Sequence, residues 1–183
     1  MRLVSLAVLF LSTAPVFAQD MPLFTFTKPG EGWKPVGFLP VSPAFKPQFE
    51  FPNDLGKATA TTFSPDGTTM FAASATGKHV WAFVVKKTGT YTDGEPYCPL
   101  RLRFGQEKLA VTDLTVDTAG RIYAATLDGI QVFDPTGRLS GVLLLPTKGT
   151  PVRIGWTGEK RDHLAVQIDD KVFARPMNAT GQK

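Results

Sequence analysis

Few of this chain's reactive side chains stand in patterns that perform chemistry. The two histidines, His79 and His163, each open an apolar stretch and have no metal-ligand spacing from other ligating types. No Gly-x-Ser-x-Gly turn raises a serine nucleophile, no cysteine is paired with a histidine by motif, and no glycine-rich phosphate loop occurs. Cys98 is the sole cysteine, so it lacks an internal disulfide partner, and a buried free thiol is its expected state. Asn178-Ala179-Thr180 meets the N-glycosylation rule, which matters only in a host that glycosylates. The remaining polar side chains have to be judged by the elements that carry them.

Those elements repeat. Phe63-Ser64-Pro65-Asp66-Gly67 leads into Thr69-Met70-Phe71-Ala72-Ala73-Ser74 and then His79-Val80-Trp81-Ala82-Phe83-Val84. Val116-Asp117-Thr118-Ala119-Gly120 leads into Arg121-Ile122-Tyr123-Ala124-Ala125-Thr126, an Asp128-Gly129 turn, and Ile130-Gln131-Val132-Phe133. Gly155-Trp156-Thr157-Gly158 leads into His163-Leu164-Ala165-Val166-Gln167, an Asp169-Asp170 turn, and Lys171-Val172-Phe173-Ala174. Each reads strand, turn, strand, turn, strand. In Ser-Pro-Asp-Gly, proline suits the position with φ near −65° and glycine the position with positive φ. The turns recur about 53 and then about 40 residues apart, which suits four-stranded blades with a longer loop in the first. Pro99 to Phe104 and Leu139 to Leu145 are the expected fourth strands. The fold class is therefore all-β, with about three β-propeller-like blades of four-stranded antiparallel sheets, a partial or half propeller.

Composition agrees. Of 183 residues, 43% are hydrophobic and 20% charged, with 17 glycines and 15 prolines, a turn-rich β composition rather than a helical bundle. Arg2, the apolar run Leu3 to Phe10, and Val16-Phe17-Ala18 read as a signal peptide cut after Ala18, which predicts a secreted or periplasmic protein with no membrane anchor. The net charge of +4 is scattered, without a basic run, so nucleic acid is not an expected partner. Residues 19–55 are rich in Pro and Phe and read as an arm with one or two edge strands, because each proline removes a ladder donor. Residues 56–183 hold the blades.

From Val111 to Gly181, and in Phe63-Ser64-Pro65-Asp66-Gly67 with Trp81-Ala82-Phe83, the chain resembles the gluconolactonase and senescence-marker protein (regucalcin) propellers. The resemblance implies six blades, a central divalent metal such as calcium or zinc, and hydrolysis of sugar lactones. Its ligands would include an Asn before the first turn and an Asp before the second, hard oxygen donors for a Lewis-acidic cation. Counted without gaps, those places hold Thr59 and Thr112. Asp113 stands one residue out of register, where a side chain faces the other side of the sheet unless a bulge intervenes. It is the candidate metal ligand and catalytic residue. Arg153, where the family often has Asn, is the candidate clamp for a sugar-acid carboxylate. Asn53, in Phe51-Pro52-Asn53-Asp54, resembles an element beside the family's substrate pocket, and Glu50 is a further ligand candidate.

Three blades leave two sheet faces open. A homodimer could complete a six-blade ring, the arm could cover one face, or the chain could be a reduced relative of a longer protein. Two functions stay open at this point. One is a metal-dependent lactone hydrolase, and the other a non-catalytic exported module that binds protein or carbohydrate.

Overall fold

The computed structural model describes residues 22–37 and 56–182. The signal-peptide reading, Glu50 and Asn53 lie outside them. A 3-10 turn, Leu23–Thr25, precedes β1 (Lys34–Val36) in the proline-rich segment. Three hairpin series follow: β2 (Ala58–Phe63), β3 (Thr69–Ser74), β4 (His79–Val85) and β5 (Tyr91–Pro99); β6 (Val111–Val116), β7 (Ile122–Thr126), β8 (Gly129–Phe133) and β9 (Leu139–Leu143); β10 (Pro151–Thr157), β11 (His163–Ile168) and β12 (Lys171–Pro176). They form three four-stranded antiparallel sheets in the orders β2-β3-β4-β5, β6-β7-β8-β9 and β10-β11-β12-β1. This is the blade arrangement of a propeller. The last blade takes its outer strand from the N-terminal segment, pairing Lys34 with Ala174 and Val36 with Val172.

The middle sheet is buried on both faces, since every residue of β7 and β8 is buried. That is why both read as nearly continuous apolar runs instead of alternating ones. Toward the first blade it packs Leu114, Val116, Ile122 and Phe133 against Phe71, Val80 and Leu109. Toward the third it packs Tyr123, Ile130 and Val132 against Trp156, Leu164 and Val166. Burying each large side chain is worth roughly 1.5–3 kcal/mol, so these two interfaces hold the blades in place without any disulfide.

The first blade departs from the expected strands. Its outer strand is Tyr91–Pro99, not Pro99 to Phe104. Asp93 to Pro96 lie inside this strand, and a Cβ at Gly94 would overlap the Phe83 ring. Beyond Pro99 the chain leaves the sheet. Arg101 N donates to Gln131 Oε1 at 2.8 Å and Gln131 Nε2 donates to Arg101 O at 2.9 Å, so a buried side chain supplies the pairing that a strand would have supplied. The Asp128-Gly129 turn also shifts by one residue. Leu127 and Asp128 form the loop, while Gly129 pairs with Thr126 at φ +128°, where a Cβ would lie 2.7 Å from Leu143 O.

Candidate functional site

The inner strands β2, β6 and β10 stand side by side, with β6 in the centre, and each carries a bulge near its start. Thr59, Thr112 and Val152 are the extra residues, so Ala60, Asp113 and Arg153 occupy equivalent places opposite Ala73, Ala125 and Gln167. A bulge re-aims side chains next to it, as functional rims often require. A bulge therefore stands at Thr112, directly before Asp113, and the first blade has its own at Thr59.

What the bulge aims is already engaged. Thr59 Oγ1 lies 2.7 Å from Val111 O and 3.1 Å from Ala73 O, and it can donate to either carbonyl. Thr112 Oγ1 donates to Ala125 O at 3.3 Å. Asp113 Oδ1 accepts from Leu114 N and Oδ2 from Ile154 N, both at 2.9 Å. The carboxylate thus ties β6 to β10 across the blade boundary. Burial pushes its pKa up to about 6, against the backbone N–H groups of Ile154 and Leu114 and the nearby positive charge of Arg153.

These donors do not fit a divalent cation. Both carboxylate oxygens already accept backbone hydrogen bonds, the two threonine hydroxyls point at carbonyls, and a guanidinium stands close enough to bias Asp113. Among the described residues no three His, Cys, Asp or Glu side chains gather as a metal-binding group. Arg153 is half-buried, and its side chain has no hydrogen bond or ion pair among the described residues. Its planar donor fork suits a carboxylate presented at the starts of the inner strands, the inner-strand mouth. His163 is elsewhere, with Nδ1 at 2.7 Å from Asp162 Oδ1.

The sequence profile of the SMP-30/gluconolactonase/LRE-like region matches residues 42–168. The chain belongs to this family. Its fold is shared with a gluconolactonase from Xanthomonas campestris at 21% identity and a TM-score of 0.57, covering 68% of this chain and 39% of that one. A putative gluconolactonase is similar at 20% identity and a TM-score of 0.59, covering 72% of this chain and 42% of that one. Regucalcin from Agrobacterium tumefaciens, described as a calcium-binding protein, aligns at 19% identity and a TM-score of 0.56, covering 67% of this chain and 46% of that one. The chain therefore spans less than half the length of these structures. No curated protein matches it.

One polar group escaped sequence reasoning. Asp117, fully buried, accepts from Ala119 N at 2.9 Å, Arg121 N at 3.0 Å, Arg121 Nε at 2.6 Å and Tyr123 Oη at 3.0 Å. The Arg121 guanidinium also lies 4.8 Å from the centre of the Phe26 ring. The signal was legible, because Asp117-x-x-Gly120-Arg121 recurs as Asp134-x-x-Gly137-Arg138, whose Asp134 caps its turn in the same way. This network locks a turn beneath the blades and touches no open site.

Proposed function

We propose that this chain is a non-catalytic, exported member of the SMP-30/gluconolactonase/LRE-like family that binds sugar acids at the inner-strand mouth. The observation that carries the reading is the double engagement of Asp113, whose two oxygens both accept backbone hydrogen bonds. A carboxylate held this way serves as a brace between blades, and the positive charge of Arg153 beside it opposes a cation on its remaining lone pairs. The Arg153 guanidinium is a fixed positive charge at the same mouth, and it would bind the carboxylate of a sugar acid by paired hydrogen bonds. Family membership supports sugar-derived ligands. Export is supported by Arg2, the run Leu3 to Phe10, and the Val16-Phe17-Ala18 site.

Calorimetric titration with gluconate and with glucono-lactone, each with and without calcium, tests this. Gluconate is expected to bind without calcium, Arg153→Ala to abolish that binding, and lactone opening to stay at the spontaneous rate. Calcium-dependent lactone opening that Asp113→Ala removes would overturn the reading in favour of the hydrolase.

A further inference from the structure

A groove of about 490 Å³ lies on the outer rim, between the N-terminal segment and the end of β9, away from the inner-strand mouth. Leu23, Phe24, Trp33, Leu144 and Leu145 line its walls, and Arg175 of β12 also lines it. The segment that forms one wall is firmly held. Trp33 Nε1 donates to Leu144 O at 2.8 Å, Asn178 N donates to Phe26 O at 2.9 Å, and Thr27 bridges Met177. Leu23 seats directly over Gly141, where a Cβ would overlap its side chain.

Two features of this groove are costly without a ligand. Phe24 is 71% exposed and Leu144 75% exposed, both on the walls of this groove. Arg175 Nε is buried and has no hydrogen-bond partner, a state that carries the full desolvation penalty of that N–H. Arg175 is also the one charged residue among the described residues lining the groove. The nearby Lys34 is neutralised by Glu31 at 3.0 Å. Apolar walls with a single unpaired guanidinium complement an apolar body that ends in one negative charge.

We propose that this groove is a second binding site, for a small monocarboxylate with an apolar body, its carboxylate on Arg175 and its hydrocarbon against Phe24, Trp33 and Leu144. The chemistry differs from that of the inner-strand mouth, because a polyhydroxylated acid would leave its hydroxyls unsatisfied against these walls.

Octanoate and octan-1-ol, which share a chain and differ in charge, are the probes, with calorimetry as the readout. Octanoate is expected to bind saturably with one site per chain, and octan-1-ol at least about tenfold more weakly. Arg175→Gln is expected to weaken octanoate by roughly 10- to 100-fold, with Arg175→Lys retaining part of the affinity. Phe24→Ser, at an exposed position, is expected to weaken octanoate without lowering the melting temperature, and it decides the matter if Arg175→Gln does not fold. Arg153→Ala is expected to bind octanoate like the wild type, so this site and the sugar-acid site can fail separately. Equal affinity for octanoate and octan-1-ol, no saturable octanoate binding, or unchanged binding by both Arg175→Gln and Phe24→Ser would overturn the proposal.

Discussion

Asp113 Oδ2 accepts the backbone N–H of Ile154 at 2.9 Å, joining the inner strand of the second blade to that of the third. One side chain thus stands at the blade boundary, one residue from the place where the family resemblance puts a ligand. Its chemistry here is that of a brace, and its titration should report it.

Folded Asp113 keeps its proton up to about pH 6, whereas its ordinary value is 3.8. Between those values the folded state binds more protons at this group than the unfolded one, so the contribution of Asp113 to stability is fully present below about pH 4 and is lost as the pH rises through 6. Urea melts at pH 4.0 and 6.5 should show the wild type losing up to about 2 kcal/mol relative to Asp113→Asn over that interval. Parallel pH profiles for the two proteins would show that the carboxyl is not buried as described.

Asp117 is tested by truncation. It is fully buried and pairs with Arg121, itself almost buried, so truncating it strands a cation and the Tyr123 hydroxyl. Asp117→Ala should cost about 3–5 kcal/mol of unfolding free energy by denaturant titration. A loss under about 1 kcal/mol would mean that the network contributes little to holding the turn.

The C-terminal tail runs back under all three blades. Thr118 N donates to Thr180 O at 2.8 Å, and Gln182 Nε2 reaches Phe63 O of the first blade at 2.9 Å. Gly181 has to be a glycine, since a Cβ would overlap the Trp156 ring. Gly181→Ala is expected to lift the tail and lower stability by about 1–3 kcal/mol, the usual range for overpacking. Amide exchange at Thr118 should accelerate with it, and an unchanged rate there would contradict the strap.

The outward face of the third blade bears on oligomeric state. At the places where the second blade presents Tyr123, Ala125 and Val132 to its neighbour, the third presents Ala165, Gln167 and Ala174. Ala165 and Ala174 are themselves buried, at 0% and 5% exposure, so this face offers little open apolar surface for a second copy to cover. Sedimentation at micromolar concentration is therefore expected to give the mass of one chain. A two-chain mass would instead support the completed ring.

Much of the architecture was legible along the chain, because local chemistry dictates it. Ser64-Pro65-Asp66-Gly67 and Asp117 to Gly120 are turns by the φ demands of proline and glycine, and the apolar runs between them have no stable state except as paired strands. Strand ends were less legible where a residue serves a distant neighbour. Gly94 makes room for Phe83, and Gln131, within an apolar strand, pairs with the backbone of Arg101. The site divides along the same line. Sequence spacing placed Asp113 one residue out of register and named Arg153, and both readings depend only on counting from the turns. Whether Asp113 could act on anything depended on a bulge at Thr112 and on which N–H groups its oxygens would meet, and one of those belongs to a strand 41 residues away. Likewise Arg175 and Trp33 share a groove only because β1 crosses to the last blade. Hydrogen bonds and grooves formed between remote segments leave no local pattern, so the tertiary structure alone decides what those side chains are free to do.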